Sequence, residues 1–144
     1  TTIKSNRTFN KTSNTDHEHQ GDIVYFGTAG ASMAQGDVCY LHTDASWVRA
    51  IANADNAGTG KLLAVALGSN PAVDGMLLRG MITLDHNTGD NNDGEPIYLS
   101  TSTAGAVMSI IPGSSGNIVR VVGYKMGDDD EVWFNPDNTY VERA

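Results

Sequence analysis

The sequence predicts an all-β fold: a small β-sandwich or β-barrel of short antiparallel strands carrying an extended N-terminal arm. Three observations predict it. Short apolar runs alternate with clusters of Gly, Pro, Asn, Asp and Ser along the chain, most regularly from Gly94 to Ala144, which is the texture of strands and turns. The composition, with 16 Gly, 40% hydrophobic and only 18% charged residues, suits β-branched strands better than long Glu/Lys/Leu-rich helices. Finally, a stretch beginning at Gly36 returns, loosely, 58 positions later at Gly94.

Residues 1–20 contain only Ile3 and Phe9 as large apolar side chains among Thr, Asn, Ser, His, Lys and Arg, too little to bury in an independent fold. They read as an arm, either disordered or laid against a neighbouring subunit. From Gly21 the texture changes to one β domain, residues 21–144. Asp22-Ile23-Val24-Tyr25-Phe26 reads as a strand closed by Gly27, Val38-Cys39-Tyr40-Leu41 as a second, and residues 45–50 around Trp47 as a third. Lys61 to Leu67 is long and apolar enough for a core strand, a short helix being the alternative. Asn70-Pro71 through Gly75 reads as a turn, and Gly75 to Leu84 as a strand with Gly80 at a bulge or a close backbone approach. A polar loop from Asp85 to Asp93 follows, then strands at 97–99, 107–108, 118–122 and 132–134. The Asn135-Pro136 turn and a closing Tyr140-Val141-Glu142 alternation predict a docked C-terminal strand.

In the repeat, Gly36-Asp37-Val38-Cys39-Tyr40-Leu41 matches Gly94-Glu95-Pro96-Ile97-Tyr98-Leu99. Each copy leads to a strand holding Val (Val48, Val107) and then to an apolar run ending in Gly (Gly68, Gly123). Segments 36–68 and 94–123 are therefore expected to be two similar halves, each covering the other's apolar face. At 144 residues one core buries roughly two-thirds of the unfolded surface without a staple.

A formal charge of −8 and a pI near 4.7 repel phosphate backbones, so nucleic acid is not an expected partner. No window approaches the ~18 apolar residues of a membrane helix and the polar start has no signal-peptide core, so neither membrane insertion nor export by that route is expected. A Thr1-Thr2 start fits removal of an initiator Met and suggests an entire chain. Cys39, the single cysteine, lies in an apolar run and reads as a buried, inert thiol, in keeping with assembly in a reducing cytoplasm.

His17 and His19 would share one side of an extended chain, and on a threefold axis such a pair would offer an octahedral nitrogen cage to a transition metal. The plainer reading, two solvated residues on an arm, is adopted, so no metal and no cofactor is expected. The loop from Asp85 to Glu95 carries hard oxygen groups but lacks the calcium-loop spacing, and residues 128–130 read as an acidic turn. No nucleophile elbow, paired-His zinc motif or phosphate loop is present, because Gly58-Thr59-Gly60-Lys61-Leu62 lacks both the earlier Gly and the Ser/Thr after Lys. The chain is expected not to be an enzyme. The residues set aside for subunit contact are Phe9, His17, His19, Trp47, Trp133 and Tyr140, large or polar groups beside turns or on the arm. Strand alternation requires one of Trp133 and Phe134 to face outward.

Several strings carry a resemblance. Gly94-Glu95-Pro96-Ile97-Tyr98-Leu99-Ser100-Thr101, residues 116–124 (GNIVRVVGY) and residues 132–142 (VWFNPDNTYVE), with residues 21–27 and 75–80 upstream, resemble the C-terminal region of structural proteins of tailed bacteriophages, notably those of marine cyanobacteria and other marine bacteria. In outline the chain is also similar to small phage head-decoration proteins. The resemblance implies a virion protein, assembled in the host cytoplasm, that binds the major capsid protein as a homo-oligomer, a trimer by preference, with the arm reaching a neighbour. Decoration of the capsid, stabilising the head by bridging capsid subunits, is the first expectation; the alternative is a tail, fibre or knob component that binds a host-surface receptor.

Overall fold

The computed structural model describes residues 15–127 and 130–144. Its elements are, in order, β1 (His19–Val24), β2 (Thr28–Ala29), β3 (Val38–Leu41), β4 (Ser46–Arg49), β5 (Leu63–Ala66), α1 (Pro71–Asp74), β6 (Met76–Thr83), β7 (Pro96–Leu99), β8 (Val107–Met108), β9 (Ile118–Val119), β10 (Val121–Lys125), β11 (Glu131–Phe134) and β12 (Val141–Glu142). The fold is all-β, and its main sheet is open, running β2-β4-β3-β5-β6-β11-β10-β7-β8, with β1 paired to β6 off that path. No barrel closes among the described residues. A small second sheet joins β12 to β9 through Val141↔Val119 and Glu142↔Ile118.

Strand β6 is the seam. Its first residues pair with β5 (Val65↔Leu77, Ala66↔Met76) and its last four with β11 (Glu131↔Thr83 to Phe134↔Gly80), while β1 runs along it from Val24↔Met76 to His19↔Ile82. The register slips between Asp22 and Ile23, so Leu78 has no partner in β1. At the crossing of Gly21 and Gly80 a methyl group on Gly80 would meet Gln20 O at 2.1 Å and Gly21 Cα at 2.7 Å. Gly80 therefore marks a close backbone approach, and the bulge lies two residues earlier. The strand begins at His19, two residues before the boundary expected at Gly21, so residues 19–20 belong to the sheet.

The apolar pattern builds two cores. The larger gathers Val38, Tyr40, Leu63, Val65, Leu77, Ile82, Ile97, Leu99, Val122, Val132 and Phe134 from both ends of the sheet, which closes the sheet's two arms over one another as in a sandwich. The smaller holds Met33, Cys39, Trp47, Ala64, Ala66 and Met76 on the opposite face. Residues Leu63 to Ala66 are thus buried on both sides, and this is why their continuous apolar run forms a strand rather than the alternative helix. Residues 70–75 depart from a plain turn. Asn70 caps Ala72 N at 3.2 Å and Pro71 occupies the first helical position, the arrangement that starts a helix, here of a single turn.

The run 118–122 is split at Arg120, whose side chain is 2% exposed. Its Nε donates to Asp137 O at 2.6 Å and its Nη1 to Gly58 O at 2.8 Å, with Lys61 O within 3.5 Å of both terminal nitrogens. One guanidinium therefore pins the loop before β5 to the loop after β11. Backbone bonds stitch the halves further: Ala50 N to Val38 O, Val38 N to Gly105 O, Gly105 N to Ala50 O, Ala52 N to Ser100 O and Ile118 N to Ala52 O.

Candidate contact surface

In an antiparallel sheet, directly opposed residues point to the same face. Gln20↔Met81, Met81↔Trp133, Trp133↔Tyr124 and Tyr124↔Pro96 are successive partners across β1, β6, β11, β10 and β7. They form one lateral row on the face away from the large core. Two residues along β6, Arg79 places its guanidinium carbon 5.3 Å from the Trp133 ring centre, a cation–π contact. A second row, Val121↔Tyr98 and Tyr98↔Met108, continues the same face over β10, β7 and β8. Met81, Trp133, Pro96, Tyr98, Val121 and Met108 are half-buried and Tyr124 is exposed. Ile110, Ile111 and Met126 add exposed apolar groups at its border.

Of the expected contact residues, Trp133 lies on this face while Phe134 turns inward at 1% exposure, as alternation requires. Trp47 is the correction. It is fully buried in the smaller core, and its Nε1 donates to Phe26 O at 2.8 Å, because residues 26–36 fold back over β4 through Thr28 N to Ala45 O and Gly30 N to Trp47 O. Exposed aromatic surface there is instead supplied by Tyr25 and Phe26. Tyr140 is exposed beside β12. Phe9 lies outside the described residues.

The histidines do not form an extended pair. His17 has φ 67°, so the period-two alternation breaks there, and the His19 ring bonds back to His17 O through Nδ1 at 2.9 Å. His17 Nε2 faces Asp85 Oδ2 at 3.4 Å without a hydrogen bond, and His86 Nδ1 meets Asp85 Oδ1 at 3.2 Å. His86 Nε2 accepts from Val107 N at 3.3 Å, which leaves its ring proton on Nδ1, facing Asp85. Burial works to raise the Asp85 carboxyl, but the His86 hydrogen bond and the electrostatic pull of the His17 and His86 rings outweigh it and hold the carboxyl below its usual range. Among the described residues no three ligand side chains converge on a point where a metal could sit.

A further group joins Ser46, Asp44 and His42. Asp44 Oδ1 accepts from Ser46 Oγ at 2.6 Å and Ser46 N at 3.0 Å, with His42 Nδ1 at 3.0 Å. These bonds, the Ser46 hydroxyl first, pull Asp44 down to about 2. The carboxylate stands between hydroxyl and imidazole, so the ring cannot take the serine proton as a catalytic base must.

The sequence reasoning missed Met81, Tyr98, Tyr124, Pro96 and Ile111 as surface residues. The signal was in the alternation of residues 96–99, which puts Pro96 and Tyr98 opposite the buried Ile97 and Leu99. Comparison of the chain with protein-family models, curated proteins and solved structures finds no match.

Proposed function

We propose that this chain is a non-enzymatic virion structural protein, a decoration protein that bridges subunits of the major capsid protein as a homo-oligomer. The observation that carries the reading is the apolar face running from Met81 through Trp133, Tyr124 and Pro96 to Tyr98 and Ile111. Contiguous apolar surface of this kind, with aromatics and an Arg, has the composition of a contact patch. The resemblance of the strings at 94–101, 116–124 and 132–142 to phage structural proteins supplies the partner. The net charge of −8 agrees with attachment to protein rather than to the packaged genome.

The test is add-back of the purified protein to capsids that lack it. The expected outcome is saturable binding that raises the temperature at which heads rupture, with both effects lost in Tyr124→Asp and Ile111→Asp although these variants keep the native fold. Failure to bind heads, together with impaired adsorption of whole particles lacking the protein, would overturn this reading in favour of a receptor-binding tail component.

A further inference from the structure

A cavity of about 290 Å³ opens at the end of the contact face, sharing Pro96, Tyr98 and Ile111 with it and completed by Asn91, Glu95 and Ser109. It lies near the lower end of the size range of small-molecule sites, ~300–1,000 Å³. Two walls are fixed. Pro96 and Tyr98 stand on β7, and Ser109 directly follows β8 and is held by its N–H to Thr88 O at 2.7 Å.

The third wall is preset by its own hydrogen bonds. Glu95 accepts from Asn92 N at 2.8 Å through Oε2, with Asn92 Nδ2 at 3.4 Å from Oε1. These bonds hold its carboxyl below the usual range. The Asn91 carbonyl accepts from the buried Lys125 ammonium at 2.8 Å. Against this order stands the Asn91 side chain, whose Nδ2 and Oδ1 are both shut off from water with no hydrogen-bond partner. An orphaned buried amide is destabilising, and a ligand that pairs with it removes that cost. Its terminal torsion is broad and soft, and a turn that brought Nδ2 and Oδ1 out to the cavity would let both pair with a ligand there.

We propose that this cavity binds a single neutral pyranose unit, as a free sugar or as the end of a surface glycan. An aromatic ring with flanking Pro and Ile carbons suits the apolar face of a sugar ring. A primary amide, an ionised carboxylate and a hydroxyl supply the donors and acceptors that adjacent sugar hydroxyls need. The Glu95 charge at the wall and the acidic chain favour a neutral sugar over uronic and sialic acids, although the Lys125 ammonium at Asn91 O offsets part of that charge. The proposal goes beyond the decoration reading and stands or falls separately from it.

The experiment titrates the full chain with glucose, galactose, mannose, N-acetylglucosamine and glucuronate. Saturation-transfer NMR follows the sugar, and the Asn91 side-chain amide and Tyr98 ring resonances follow the protein. At least one neutral sugar is expected to shift both resonances, with glucuronate silent. Asn91→Ala should weaken binding roughly tenfold without lowering the unfolding midpoint, since it removes an unpaired amide. A lysed-cell polysaccharide that competes with the free sugar would identify a glycan terminus as the source, whereas its failure to compete would assign the site to the free sugar. Absence of shifts with every neutral sugar, equal binding of glucuronate, or unchanged affinity in Asn91→Ala overturns the proposal.

Discussion

Arg120 illustrates how single residues hold the fold. Its guanidinium donates to main-chain carbonyls of two loops far apart in sequence. Arg120→Met fills the space but takes the donor from Asp137 O and leaves Gly58 O with Lys61 N alone, at an expected loss of ~2 kcal/mol in urea unfolding; Arg120→Lys, without the planar fork, should recover little of it. Gly80 acts through space rather than bonds. A methyl there meets backbone at 2.1 Å, so Gly80→Ala is expected to cost ~2 kcal/mol or more, measurable by the same unfolding assay. Cys39 is fully buried, and burial pushes its thiol from 9.0 to about 12. The sign follows from linkage. Between these values the unfolded chain releases the proton and the folded one keeps it, so stability falls as pH rises through that window, by at most ~1.4 kcal/mol per pH unit. Cys39→Ala should flatten that slope in unfolding curves taken across the window, and native Cys39 should resist alkylating reagents.

At the scale of elements, β1 is the piece whose removal tells most. Its residues pair with β6 along six positions, and deleting residues 15–24 uncovers one whole edge of the seam. Such a truncation is expected to lower the thermal midpoint by several degrees and to promote aggregation through the bared edge. Most strands were legible because their apolar runs and turn residues agree: residues 38–41, 46–49, 76–83 and 131–134 fall where pattern and turn chemistry place them. Others were not. One-turn α1 depends on the Asn70 cap and Pro71 acting together, and the break at Arg120 depends on carbonyls that sequence separation hides. Trp47 was misplaced because a strand pattern says which face a residue takes, while only the return of residues 26–36 decides that this face is covered. The candidate surface was half legible: Trp133 follows from alternation, but Tyr124 joins it only through cross-strand register.

For the whole molecule, the halves suggested by the repeat have matching ladders. Tyr40 pairs with Val48 and Leu63, and Tyr98 with Met108 and Val121; β5 continues into β6 as β10 does into β11. We read this as a duplicated unit whose copies share one seam. Because the large core draws on both halves, their backbones are bonded through Ala50, Ala52, Ser100 and Gly105, and the smaller core needs Met76 from β6 beyond the first half, neither half completes a core by itself. Fragments 15–68 and 94–144 are expected to remain unfolded when expressed apart, by circular dichroism, while the full chain melts in a single calorimetric transition. The Gly21–Gly80 crossing has a mechanical consequence. A pull entering at residue 15 along the axis of β1 loads the β1–β6 ladder in shear, so its bonds must fail together, and the backbones are locked closest at the glycine pair. A chain tethered by its N-terminus to a shell under internal pressure would resist at this ladder, and single-molecule extension should find the first force peak there.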